Sequence, residues 1–141
     1  MIEIPNACVA RTKDSNIVFK ENKARISFLN SNRKPYDRIT VDGCVIREGN
    51  KCDFLLASCE FGDQYFVELK GENLEHAILQ LESTFAKLLD NREGVMRKAF
   101  VVSSNSGMRI SPHRQQLEKR FKKQGIDLHF FHSQTVYNLE R

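Results

Sequence analysis

The sequence contains no apolar run near the ~20 residues that a membrane-spanning helix requires. Its first residues, MIEIPNACVARTK, lack the charged end and apolar stretch of a secretory signal. Both absences lead to the expectation of a cytoplasmic protein with no membrane partner. The cysteines, Cys8, Cys44, Cys52 and Cys59, show no CxxC spacing, and the scattered histidines offer no zinc spacing. In a reducing compartment such cysteines are expected as reduced, mostly buried thiols. There is no glycine-rich phosphate loop, and no serine stands in a nucleophile-elbow context. Zinc-finger, RNP-like and clear helix-turn-helix patterns are missing as well, so nothing here reads bases. No repeat or low-complexity linker marks a boundary, and one domain over residues 1–141 is expected.

What remains has the composition of a globular protein, with 40% hydrophobic and 28% charged residues. A domain of this length buries roughly two-thirds of its unfolded surface, enough for a core without staples. The net charge of +4 permits a polyanionic partner without demanding one.

Residues 1–36 are expected to be irregular or short-stranded, with a helix around 18–29 as the alternative; 37–141 form the core. Ile39 and Val41 alternate with polar residues and predict a strand from about Tyr36 to Ile46. Glu48-Gly49-Asn50 supplies a turn, and Cys52–Ser58 and Tyr65–Leu69 read as two further strands around Phe61-Gly62-Asp63. Short loops make these runs an antiparallel meander. Asn73 is an N-cap candidate before Leu74, Ala77, Ile78, Leu81, Phe85, Leu88 and Leu89, which recur at helical spacing. Burying that stripe contributes on the order of 10–15 kcal/mol before chain entropy. Ala99–Val102 reads as a central strand, Ser111-Pro112 as a helix start anchored by Leu117 and Phe121, and Gly125 as its stop. Short strands over 126–131 and 135–137 complete a mixed β-sheet of α/β class, a meander followed by αβα.

Charges stand where buried strands do not favour them: Asp53 in one run, Glu68 and Lys70 in the next. A turn of two or four residues puts Asp53 near Lys70 and diagonal to Glu68 on one face; three or five residues put it on the other. Two nearby carboxylates repel unless a proton or cation lies between them. Hard oxygen ligands of this kind suit Mg²⁺ or Mn²⁺, and a lysine beside them stabilises charge developing on a phosphate. The opposing reading is a solvated hairpin face, since Glu21-Asn22-Lys23 repeats the acid-x-Lys triplet by chance. Strand, turn and following helix separate the Glu68 copy from it.

Asp53, a turn, Glu68-Leu69-Lys70 ending a strand, then helix and strand resemble the restriction-endonuclease-like PD-(D/E)xK nucleases over about residues 37–104. The resemblance implies that core, with Asp53, Glu68 and the Leu69 carbonyl as metal ligands and Lys70 as the catalytic lysine. Cys52 precedes Asp53 where the family name has proline. The family core usually opens with a helix carrying a further acid, for which Glu21 is the candidate. Gln80-Leu81-Glu82-Ser83-Thr84 also resembles the Gln-centred helix motif of RecB-like branches, with Thr84 where they carry tyrosine. Gln80 is therefore expected to orient substrate or water, with His76 as an accessory beside it.

The last helix is basic, and Arg109, Arg114 and Lys119 are candidate phosphate contacts, as is the Ser103–Gly107 loop; cations near a helix C-terminus are also favoured by its dipole alone. The expectation is a Mg²⁺-dependent nuclease acting on DNA rather than RNA, as a homodimer or with a partner protein. A silent nuclease-like fold serving as a binding or assembly subunit is the alternative, and an RNA-cleaving toxin a third.

Overall fold

The computed structural model describes residues 1–69, 73–103 and 112–139. Three layers stack in it. The middle layer is a six-stranded sheet of β1 (Val9–Thr12), β4 (Tyr36–Thr40), β5 (Phe54–Ser58), β6 (Gln64–Leu69), β7 (Arg97–Ser103) and β8 (Asp127–His132), in that spatial order. From β1 to β6 neighbours run antiparallel, and from β6 to β8 they run parallel. Helices α1 (Leu74–Leu88) and α2 (Pro112–Lys123) make the crossovers and cover one face. A three-stranded sheet covers the other, in the order β2 (Asn16–Glu21), β3 (Ala24–Leu29) and β9 (Gln134–Asn138). The expected mixed α/β fold, with a meander followed by helix, strand, helix and strand, is what the chain forms.

Periodicity explains each layer. On α1 the apolar stripe buries Ala77, Ile78, Leu81, Phe85 and Leu88, and Phe85 packs edge-on against Phe66 and Phe121. Asn73 caps this helix by accepting from the His76 N–H at 3.1 Å. α2 ends where Gly125 takes φ +78 and the Ile126 N–H returns to the Phe121 carbonyl. Ala99–Val102 is buried on both faces, as a central parallel strand requires.

The 18–29 stretch takes the short-stranded form expected of residues 1–36, as a hairpin, and not the helical alternative. Ile17 and Phe19 alternate against Ile26 and Phe28, and all four are buried on the large sheet. Two features differ from the sequence expectations. β4 stops at Thr40 instead of reaching Ile46, because residues 41–46 fold back through an Ile46 N–H to Val41 carbonyl bond of 3.0 Å. The pattern misled because buried Val41 continues the alternation of Ile39 past the end of β4. Second, Cys8 and Cys44 form a disulfide, which corrects the expectation of reduced thiols; Cys52 is free and buried, Cys59 free and exposed. Among the described residues no helix is long and apolar enough to cross a membrane.

Candidate functional site

The β5–β6 hairpin sets the site. Ser58 donates its N–H to the Asp63 carbonyl at 2.9 Å, so four residues, Cys59–Gly62, make the turn. Gly62 sits at φ +77 and closes it by donating to the Ser58 carbonyl. This even-numbered loop is the kind that keeps both acids together. The register pairs Phe54 with Val67, so the next positions outward are Asp53 and Glu68, one step tighter than the sequence suggested.

Asp53 lies just before β5 and is held by backbone on both sides. Its N–H donates to the Val67 carbonyl at 3.1 Å, and its own carbonyl accepts from the N–H groups of Val41 (3.1 Å) and Asp42 (3.3 Å). Its Oδ2 accepts from the Leu69 N–H at 2.7 Å. Glu68 shares the side of β6 taken by Phe66 and is 6% exposed. Among the described residues its Oε1 has no hydrogen-bond partner.

A third carboxyl group joins them. Glu21 ends β2 on the inward side shared by Ile17 and Phe19, and it hydrogen-bonds the Asp53 carboxyl group. Burial, first of all, pushes Asp53 up to about 7, and the Glu21 and Asp42 charges add to the rise while the Leu69 N–H opposes it. Burial likewise pushes Glu68 up to about 9, followed by the charge and hydrogen bond of Asp53 and the charge of Glu21. Such a group either shares protons or accepts a cation. The donor set is all carboxylate oxygen, which fits Mg²⁺ or Mn²⁺ rather than a soft metal, and the orphaned Glu68 oxygen is available to it. Among the described residues no group of three or more aspartate, glutamate, histidine or cysteine side chains is placed to hold a metal ion, so Asp53 and Glu68 stand as a pair of candidate ligands.

The remaining expected residues separate. Lys70, Arg109 and the Ser104–Gly107 part of the expected phosphate loop lie outside the described residues. The Leu69 carbonyl, expected as a ligand, belongs to the residue whose N–H holds Asp53. Gln80 points its Oε1 at the chain leading into Asp53, accepting from the Lys51 N–H at 2.8 Å. His76 is exposed near the start of α1. Arg114 is engaged within the fold: Nε reaches Glu118 at 3.3 Å and the guanidinium stacks 4.8 Å over the Phe130 ring. Lys119 is exposed on α2, which packs over β8, two strands away from β6.

Sequence reasoning missed two contributors. Buried Thr84 accepts from the Cys52 N–H at 2.8 Å, fixing the residue next to Asp53; a polar residue within an apolar helical stripe was the available signal. Asp42 bears on Asp53 from the 41–46 turn, and nothing in the sequence marked it. No protein-family model matches the sequence, and searches of curated proteins and of solved structures returned no match either.

Proposed function

We propose that this chain is a divalent-metal-dependent nuclease that hydrolyses phosphodiester bonds, in DNA rather than RNA. One observation carries the reading: Asp53 and Glu68 stand side by side at the end of the β5–β6 hairpin, with Glu21 bearing on Asp53, and the buried Glu68 Oε1 is left unpartnered. The meander, the α1 crossover and parallel β7 support a restriction-endonuclease-like core around it.

In this reading Asp53 and Glu68, with the Leu69 carbonyl, hold Mg²⁺ or Mn²⁺, and Glu21 adds a third carboxylate. The ion supplies Lewis-acid stabilisation of the phosphoryl oxygens and a water of lowered pKa. Asp53 and Glu68 give up the protons that burial makes them keep. Lys70, next but one to Glu68, offsets negative charge developing on the phosphate. Gln80 acts as a positioning residue through Lys51 rather than on substrate. Cytoplasmic residence and action as a homodimer or with a partner protein belong to the same reading. The Cys8–Cys44 disulfide weighs against the compartment, since reducing conditions keep such thiols apart.

Plasmid incubation with Mg²⁺, Mn²⁺ or EDTA tests it, for the native chain, Glu68→Gln and Lys70→Ala. Cleavage that needs metal and is lost in both variants is expected. Metal-dependent cleavage unchanged by Lys70→Ala overturns the mechanism. Tight DNA binding without cleavage under any metal assigns the fold to a non-cleaving subunit instead.

A further inference from the structure

The β2–β3 hairpin does more than deliver Glu21. Its register sets Lys20 directly opposite Arg25. Like charges facing each other across a strand pair are destabilising unless something anionic lies over them. Among the described residues neither cation has an ion-pair partner, and Lys23 in the turn adds a third, exposed.

Behind this pair lies a hollow of about 530 Å³ lined by Arg25, Ser27, Gln134, Thr135 and Val136. The parallel β3–β9 register puts Gln134 beside Arg25 and Val136 beside Ser27. Guanidinium, hydroxyl and amide donors therefore line this hollow beside Val136, and among the described residues its lining includes no carboxylate. Glu21, the nearest acid along the hairpin, turns to the opposite side, into the carboxyl cluster. The outward positions of β2, β3 and β9 carry no aromatic ring, so this face has no platform on which to stack unpaired bases. What it matches is the regularly spaced negative charge of a duplex.

We propose that the outer face of the β2–β3–β9 sheet binds the sugar-phosphate backbone of duplex DNA, with Lys20, Lys23 and Arg25 as phosphate contacts. The assignment rests on the nuclease reading for its choice of polyanion, and it replaces α2 as the docking element. Lys20 and Glu21 are successive residues of β2 on opposite faces of the sheet, so the hairpin that carries these cations also carries one of the acids.

Fluorescence anisotropy of a short labelled duplex in EDTA, across a salt series, tests it without cleavage. Lys20→Gln/Arg25→Gln is expected to raise Kd about tenfold and to flatten the log–log salt dependence by about 2. The charge-retaining exchange Lys20→Arg/Arg25→Lys is expected to bind as the native chain does. Native Kd and slope in the neutral variant, with its circular dichroism unchanged, overturn the proposal. So does tighter binding of single strands than of duplex, or equal competition by poly-glutamate. A chain that binds through Lys20 and Arg25 but never cleaves keeps this surface and loses the nuclease reading. One that cleaves, yet binds independently of both, does the reverse.

Discussion

The Leu69 N–H donates to Asp53 Oδ2 at 2.7 Å, so the end of β6 orients the acid that precedes β5. The bond asks only for an acceptor, whereas metal binding asks for a charge. Asp53→Asn keeps an amide oxygen in that place and removes the charge. It is expected to fold like the native chain and to lose at least about 100-fold in metal-dependent cleavage, roughly 3 kcal/mol of transition-state stabilisation. Thermal melts beside plasmid assays check both halves, and a folded variant that still cleaves at native rate rules Asp53 out.

Glu68 gives a pH-dependent stability. Its folded pKa is raised to about 9, chiefly by burial, while the unfolded carboxyl titrates near ~4.3. Below ~4.3 both states are protonated and the group contributes no difference. As pH rises the unfolded chain ionises first, so the folded state loses relative stability until its own carboxyl ionises near pH 9. Glu68→Gln removes that loss. Its melting temperature should exceed the native value by more at pH 8.5 than at pH 5. An equal difference at both pH values counts against the buried, protonated carboxyl.

Metal and protons compete for the same oxygens. Asp53 at about 7 and Glu68 at about 9 must lose their protons for a divalent ion to bind. Mn²⁺ affinity, read by calorimetry, should therefore rise between pH 6 and pH 9 and be accompanied by proton release. Affinity independent of pH, or binding without released protons, places the ion elsewhere.

The disulfide reaches the site through backbone. Cys44 lies in the 41–46 turn, whose Val41 and Asp42 N–H groups hold the Asp53 carbonyl. Reduction, or Cys44→Ser, is expected to lower stability by about 2–4 kcal/mol. It should also speed hydrogen exchange at Val41 and Asp42 more than in β7, where every amide is deep in the sheet. Uniform acceleration across the chain uncouples the bridge from the site.

These residues also show what the sequence made legible. Local periodicity carried the meander, α1 and β7, because one buried face per element leaves a direct imprint on residue order. The even-numbered turn at Cys59–Gly62 was inferable as a condition, not as a fact, since Gly62 permits several turn lengths. Glu21 could be suspected only through the resemblance. Its contact with Asp53 depends on how the small sheet docks on the large one, across more than thirty positions. Asp42 and the Cys8–Cys44 pairing depend on the 41–46 turn, where buried Val41 continues the alternation of Ile39 past the end of β4. Arg114 looked free to meet phosphate because Phe130 and Glu118 become its neighbours only after α2 docks on β8.

The clamp from α1 gives the last prediction. Gln80 Oε1 accepts from the Lys51 N–H, and Thr84 Oγ1 accepts from the Cys52 N–H while donating to the Gln80 carbonyl, each at 2.8 Å. Two successive amides before Asp53 are thus fixed by one turn of helix. Thr84 is fully buried, so Thr84→Val leaves the Cys52 amide unpaired and should cost about 1–3 kcal/mol. Gln80 is half-buried and acts on position rather than chemistry. Gln80→Ala should lower kcat while leaving KM close to native, because the acids lose their alignment and the binding face does not. Gln80→Glu retains an acceptor for Lys51 and should restore most of the rate. If Gln80→Glu is as slow as Gln80→Ala, or if KM carries the whole effect, Gln80 touches substrate directly and the clamp is not its function.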